Sequence, residues 1–258
     1  MRLMKRILSA AAVLALSASL LVGCSSGTAS SVPVSASSAA ESTVSSVEET
    51  ASSAVDENEA AAAQLLNDLT GSYQELWPVI LADEYKQTWL DDCTALVGEE
   101  NAEAAFEKLS SMVTSDVYGE DAVEAYANGG GAYFCGFTNS LAILTFDGET
   151  STISGTDKDG NVLFSHTYHY IGMEPVRGLY EFQSDDADSG EFTYFFLAPD
   201  TSAETYHIEF RYGSDAEALS QYDAGEYAYW VASGISTDCD QTMIDNCIEL
   251  FCTENLAG

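Results

Sequence analysis

In this 258-residue chain, the side chains of the histidines and of the acidic residues are the ones that could bind a ligand through polar contacts. The segment Thr205–Tyr212 places apolar side chains at its even positions from Tyr206 onwards. Successive side chains of a β-strand point to opposite faces of the sheet. The other face is therefore polar and carries Thr205, His207, Glu209 and Arg211. We expect this face either to contact solvent or to line a polar cavity.

A second segment with the same alternation holds the other two histidines. In Phe164–Tyr170 the even positions carry aromatic or imidazole rings, and His166 is one of them. Alternation therefore predicts that His166 faces the interior of the protein and that His169 faces outwards.

Hydrolytic chemistry has no recognisable motif in this chain. Neither a Gly-x-Ser-x-Gly turn nor a His-Glu-x-x-His helix is present, and the spacing of the three histidines corresponds to no catalytic arrangement. We therefore expect a binding protein and no enzyme.

Cysteine usage leaves the pairing open. Six cysteines occur without a Cys-x-x-Cys pair, so a zinc knuckle or a thioredoxin-type site is not indicated. Cys24 has a separate role, described below, which leaves the odd number of five: Cys93, Cys135, Cys239, Cys247 and Cys252. They are either buried small hydrophobic residues or disulfide partners, and their connectivity cannot be derived from the sequence.

Two helices are predicted at the front of the domain and one at its end. Apolar residues recur at intervals of three and four around Trp89 and again around Phe106, with Gly98 as the stop between them. The tail Asp240–Phe251 shows the same periodicity, with Cys247 and Phe251 on its inner face.

Between these helices the periodicity changes to two, which is typical of strands. Turn clusters such as Asp157–Gly160 separate the segments. Short consecutive strands with tight turns favour an antiparallel meander or closed barrel, so we predict a mainly β, α+β fold. The predicted strands are Tyr133–Phe137, Leu141–Phe146, Ser151–Gly155, Val162–Tyr170, Leu179–Gln183, Phe192–Ala198 and Thr205–Tyr212.

The N-terminus has the layout of an export signal. Three basic residues precede an apolar run, Ile7–Val22, that is too short for a comfortable membrane span. Leu21-Val22-Gly23-Cys24 resembles the bacterial lipobox. We therefore expect residues 1–23 to be a lipoprotein signal peptide and lipidated Cys24 to anchor the chain to the membrane, outside the cytoplasm.

Residues 24–60 have the composition of a disordered tether, because they contain no aromatic, Leu, Ile or basic residue. We expect one domain in residues 61–258. Without the signal peptide, the chain has five basic and 42 acidic residues, a net charge of −37. Such a charge attracts cations and excludes nucleic acid as a partner.

Several blocks resemble the ZinT family, the extracytoplasmic zinc-binding domains of calycin or lipocalin-like fold. They follow in the family's order and span most of the chain from Gly71 to the C-terminus. The resemblance implies an antiparallel calycin-like barrel preceded by two helices and closed by a C-terminal helix. The matching blocks are Thr167–Gly172, Tyr180–Phe182, Ala187–Tyr194, Ala203–Phe210, Glu217–Leu219 and Tyr229–Ser233.

The family's zinc ligands are only partly present. Zinc is held there largely by histidines, including a His-x-His pair on the strand that matches Thr205-Tyr206-His207 and another histidine in the preceding loop. In this chain Thr205 replaces the first histidine of the pair, and the loop Leu197–Ser202 has none. His207 is the matching residue that remains.

A metal site therefore requires other ligands, because zinc takes three or four N, S or O donors. The resemblance implies His207. The other ligands would have to come from nearby acids, Asp200, Glu204 or Glu209, or from His166 if it points into the same barrel mouth. An all-oxygen set would favour a harder cation such as calcium. Without metal, His207 would bond to a neighbour and Glu209 would pair with Arg211.

Two functions follow. The resemblance implies capture of a divalent metal, zinc first, for delivery to components of a metal ABC transporter. The alternative is a calycin-like module without a metal site that binds a partner or a small ligand among tyrosines of the predicted barrel: Tyr168, Tyr170, Tyr180 and Tyr194.

Overall fold

The structure is a computed structural model that describes residues 57–127, 131–198 and 207–256. The predicted signal peptide, Cys24 and the tether as far as residue 56 lie outside these ranges. The last four residues of the predicted tether, 57–60, belong to the first helix, α1 (57–68). No helix of the described ranges is long and apolar enough to cross a membrane.

Eight antiparallel strands form a closed barrel, which confirms the predicted fold class. Each strand pairs with the next one in the sequence, and the last strand pairs with the first. The strands are β1 (Gly71–Glu75), β2 (Ile143–Asp147), β3 (Thr152–Thr156), β4 (Val162–Met173), β5 (Tyr180–Ser184), β6 (Tyr194–Leu197), β7 (His207–Gly213) and β8 (Ala232–Ser236).

Aromatic side chains fill the barrel. Alternation on β7 points Ile208, Phe210 and Tyr212 inwards, where each is at most 1 % exposed. Phe195 stacks against Tyr212 with the ring centroids 5.3 Å apart. The interior is therefore a packed core.

The tyrosines that were considered as a ligand pocket belong to this core or pack against it. Tyr168 is 2 % exposed, and its hydroxyl donates to the carbonyl of Phe192. Tyr170, Tyr180 and Tyr194 are partly buried and pack on the same cluster. Tyr168 is therefore a core residue, whereas the other three rings are only partly covered by packing, so a pocket among the four tyrosines stays a prediction.

The turn between β3 and β4 forms at the predicted cluster. The carboxylate of Asp157 accepts hydrogen bonds from the side chain of Asn161 at 2.8 Å and from the backbone N–H of Asp159 at 2.9 Å. These bonds, led by the one from Asn161, lower the pKa of Asp157. Gly160 adopts φ +81°, a conformation that L side chains rarely adopt.

Helices form a second layer with its own core. They are α2 (Leu76–Ile80), α3 (Lys86–Val97), α4 (Glu99–Ser111), α5 (Glu120–Ala127), α6 (Ala216–Leu219) and α7 (Gln241–Leu256), with short 3-10 turns at Asp83–Tyr85 and Gly190–Phe192. α3 ends at Gly98, as the sequence predicted, with φ +84°. Trp89 lies at the centre of this layer, and its indole N–H donates to the carbonyl of Ile80 at 2.7 Å.

The helical layer packs on the outer face of β8. Ala232 points into the barrel, whereas Ile235 belongs to the core formed by the helices. The α7 residues Ile244, Cys247 and Ile248 share that core with Ile235. The outer wall of the barrel near β7 and β8 is thus covered by helices.

One predicted strand is wrong and two strands were not predicted. Residues 133–137 make only single bridges, Phe134 with Thr114 and with Trp230. The backbone N–H of Phe137 donates to the side-chain carboxylate of Glu75 at 2.6 Å and not to a neighbouring strand. The strands that close the barrel, β1 and β8, were not predicted.

Candidate ligand-binding cavity

His207 and Glu209 lie on the outer face of β7, at the two odd positions next to the buried Ile208. The register places His207 beside Ile235 and Glu209 beside Ser233 on β8. His207, Glu209 and Ser233 line one cavity of about 470 Å³ between this face of the barrel and the helical layer. Of the polar face predicted from the sequence, His207 and Glu209 therefore line a cavity, whereas Arg211 is fully buried and donates to the carbonyl of Gln221.

Apolar side chains form the opposite wall of this cavity. They come from α2 and α7 and are Leu76, Trp77, Ile80, Cys247, Leu250 and Phe251. The rings of Trp77 and Phe251 meet edge to face, with centroids 4.7 Å apart and planes at 73°. Further polar atoms at the margin belong to Arg177, Glu254 and Asn255. An apolar cavity with a few polar groups is the usual form of a small-molecule site.

The indole N–H of Trp77 is a buried donor without an acceptor. Trp77 is 9 % exposed, and its Nε1 makes no hydrogen bond to any residue in the described ranges. The sulfur of Cys135 lies close enough to the Trp77 N–H for this contact to lower the pKa of Cys135 against the larger effect of burial, but the geometry is not that of a hydrogen bond and a thiol sulfur is a weak acceptor. A buried donor left unpaired costs about 1–3 kcal/mol. The other two indoles differ, because Trp89 donates to Ile80 and Trp230 donates to the carbonyl of Gly136 at 2.9 Å.

The two cysteines of the cavity are protonated at neutral pH. Burial, with a contribution from the Glu209 carboxylate, raises the pKa of the Cys135 thiol to about 12. Burial likewise raises the pKa of Cys247 to about 12. Metals bind the thiolate form, so a metal at either side chain would have to displace the thiol proton.

The structure separates His166 from His207. On β4, His166 lies two positions from each of the core residues Phe164 and Tyr168, so its side chain is on the inner face of the barrel. His207, in contrast, is on the outer face of β7. The side chain of His166 is 13 % exposed, and its Nδ1 pairs with Asp186 at 2.8 Å. His169 lies on the outer face as predicted, where Nδ1 pairs with Asp185 at 2.6 Å.

The predicted metal ligands are therefore only partly brought together. His207 and Glu209 share the cavity, His166 is on the opposite side of the barrel wall, and Glu204 lies outside the described residues. Within those residues, no group of three or more His, Cys, Asp or Glu side chains could hold a metal ion. The residues present do not fit the zinc site that the family resemblance implied.

Sequence reasoning did not identify the apolar wall. The periodicity of the sequence predicts that Cys247 and Phe251 are on the inner face of the last helix, but no sequence pattern predicts that they lie near Trp77 or β7. α2 is only five residues long, too short for a periodic pattern to stand out. The nearest signal was the run Leu76-Trp77-Pro78-Val79-Ile80 itself, which is apolar throughout.

Comparisons with known proteins give matches among solved structures alone. No family model and no curated protein matches the chain. The zinc-bound ZinT-like domain of Streptococcus pneumoniae AdcA matches at 16 % identity and a TM-score of 0.45, covering 71 % of this chain and 89 % of that one. Zinc-bound AdcA itself matches at 14 % identity and a TM-score of 0.42, with 70 % of this chain and 34 % of that chain covered. The first of these structures is a ZinT-like domain, the family that the sequence resembles.

Proposed function

We propose that this chain is an exported, lipid-anchored binding protein that captures a small ligand in the cavity between the barrel and the helical layer. The observation that carries the proposal is the cavity itself, where the apolar wall around Trp77 and Phe251 faces the polar side chains of His207 and Glu209. The N–H of Trp77, a residue of that wall, is a buried donor that meets no oxygen or nitrogen acceptor among the described residues. A ligand that brings an acceptor to this N–H removes the cost of leaving it unpaired. The activity is binding without turnover.

The ligand class follows from the walls. The edge-to-face pair of Trp77 and Phe251 suits a flat apolar or aromatic group, because the rings offer a large apolar area. The ligand also carries a carbonyl or ring-nitrogen acceptor for the Trp77 N–H. At about 470 Å³, the cavity is in the size range of small-molecule sites.

The location of this activity is proposed from the N-terminus. Lipidated Cys24 would hold the domain at the outer side of the cell membrane, on a tether that has the composition of a flexible chain. A binding domain in this position can collect a solute before it is transported. Transfer to an uptake system is the role that fits a protein with binding and no catalysis.

A divalent cation is the second candidate ligand, because His207 and Glu209 share one strand face and one cavity. Adjacent side chains of one face are about 6.5–7 Å apart along a strand and can converge on one ion. Two ligands are too few for zinc, which takes three or four. The third would come from the segment before His207, where Asp200 and Glu204 occur in the sequence.

The proposal is tested by observing the three indole N–H groups of the chain, one from each tryptophan. In a spectrum of protein with nitrogen-15 in its tryptophans, the signal of Trp77 is identified by its loss in Trp77→Phe. Titration with acetophenone, an aromatic ketone, should shift that signal downfield. Trp89 and Trp230 serve as internal controls, because their N–H groups already have acceptors. A Trp77 signal that does not move at saturating acetophenone would refute the assignment of the cavity as the binding site.

A further inference from the structure

Two cysteines from distant parts of the chain meet in the core of the helical layer. Cys93 lies in α3 and Cys252 in α7, and their sulfur atoms are 3.9 Å apart. Both side chains are 0 % exposed. All five cysteines of the described residues are free thiols in the structure. The pair therefore combines close approach with complete burial.

We infer that Cys93 and Cys252 form a disulfide that joins α3 to α7 in the exported protein. The inference relies on export, which is part of the proposed function, because disulfides persist in oxidising compartments outside the cytoplasm. A disulfide bond is about 2.0 Å long, so the two sulfurs must move about 2 Å closer than in the thiol form. The two thiols already contact each other, so side-chain rotation with a small helix shift supplies this movement.

The reaction is a thiol–disulfide exchange. The two thiols lose two protons and two electrons, one S–S bond forms between Cys93 and Cys252, and a disulfide of the oxidant is reduced to two thiols. The oxidant is a dithiol–disulfide exchange protein of the extracytoplasmic space, or glutathione disulfide in vitro. Mass and charge therefore balance without a further co-reactant.

The bond must form while the protein folds. Both thiols are sealed in the core once α7 packs on α3, and burial also raises the pKa of each thiol, which suppresses the reactive thiolate. Oxidation consequently precedes the final packing of α7. Because α7 contributes Phe251 and Leu250 to the cavity wall, the disulfide also fixes one wall of the proposed binding site.

The disulfide is tested by peptide mapping of the full chain isolated from the exported fraction. Free thiols are blocked in denaturant without reductant, and the chain is cut after acidic residues. Glu249 then separates the peptide of Cys247 from that of Cys252. The expected result is a cross-linked pair of the Cys93 and Cys252 peptides that separates on reduction. Blocked Cys93 and Cys252, or either one linked to another cysteine, would overturn the inference.

A second experiment separates failure of the disulfide from failure of export. The purified chain is unfolded, reduced and refolded in a glutathione redox buffer, which needs no export machinery. The midpoint of denaturation should then fall on adding reductant in wild type and in Cys239→Ser, whose cysteine is only partly buried and is not in the pair. Cys93→Ala should lose this dependence on reductant. A reductant-independent midpoint in wild type contradicts the disulfide, whereas a chain that forms the bond here but is found only in the cytoplasmic fraction contradicts export.

Discussion

The indole of Trp77 in α2 is met edge-on by the ring of Phe251 in α7, with the centroids 4.7 Å apart. This contact joins two helices that are more than 160 residues apart in the sequence and forms part of the cavity wall. Phe251 also meets Trp89 at 5.7 Å and 80°. One side chain thus connects the cavity wall to the centre of the helical layer.

Removing this ring should destabilise the protein. We expect Phe251→Ala to lower the free energy of unfolding by about 2–3 kcal/mol, somewhat less than for a fully buried phenylalanine, because Phe251 is only partly buried. Urea denaturation measures this loss. Phe251→Leu, which keeps most of the volume, should lose clearly less. An Ala variant as stable as wild type would show that the two aromatic contacts do not hold α7 in place.

Acidic side chains on α3 and α7, namely Asp92, Asp245 and Glu249, make the stability of the folded protein depend on pH. Burial first, then the carboxylates of Glu249 and Asp245, raises the pKa of Asp92 above its ordinary value of 3.8. The folded state therefore binds this proton more tightly than the unfolded state, so the contribution is present below pH 3.8 and is lost as pH rises through the raised pKa.

We accordingly expect Asp92→Asn to raise the denaturation midpoint at pH 7, where it removes a partly buried negative charge. The gain over wild type should shrink as pH falls through the raised pKa of Asp92, because Asp92 then becomes protonated in wild type. Asp188→Asn removes the same charge from an exposed position and serves as the control. If both variants gain equally at pH 7, the effect belongs to the net charge of the chain and not to Asp92.

The cation hypothesis predicts a difference between two histidines. If zinc binds in the cavity, His207→Ala should weaken it at least about tenfold, since one of few ligands is lost. His169→Ala should leave the affinity unchanged, because His169 is on the outer face and pairs with Asp185. Calorimetric titration measures both. Thr205→His would supply the missing first histidine of the pair and should increase the affinity; no heat of binding in either wild type or this variant would remove the cation hypothesis.

The anchor is tested by a single substitution at the predicted lipobox. We expect Cys24→Ala to move the protein from the membrane fraction to the soluble exported fraction, because the lipid attachment site is lost. Cys239→Ala should remain in the membrane fraction. Immunodetection after fractionation distinguishes the two, and a Cys24→Ala protein that still sediments with membranes would contradict lipidation at Cys24.

Alternation of side chains made part of the fold and of the site predictable. It placed His207 and Glu209 on one face and assigned His166 and His169 to opposite faces, because a period of two is a property of each strand alone. The strands β1, with the sequence Gly-Ser-Tyr-Gln-Glu, and β8, with Ala-Ser-Gly-Ile-Ser, were missed. They contain few β-branched or aromatic residues and are held in place by closure of the barrel.

The cavity could not be derived in the same way. Its walls combine Trp77 from α2, Cys135 from an irregular segment, Glu209 from β7 and Phe251 from α7. No local pattern links these positions, since their proximity depends on how the helical layer packs on the barrel. The sequence likewise does not show that the N–H of Trp77 lacks an acceptor among the described residues, because this depends on the complete packing around the ring.

The central claim is that the N–H of Trp77 recognises an acceptor on a ligand in the cavity. It is tested most directly by comparing acetophenone with α-methylstyrene, which has the same shape but a methylene in place of the carbonyl oxygen. Dissociation constants are measured for wild type and for Trp77→Phe, which keeps an aromatic ring and removes the donor. We predict that the preference for acetophenone over α-methylstyrene falls by about 1 kcal/mol, roughly fivefold, from wild type to Trp77→Phe, because only wild type donates to the carbonyl oxygen. The same ratio of the two dissociation constants in wild type and in Trp77→Phe would contradict the account.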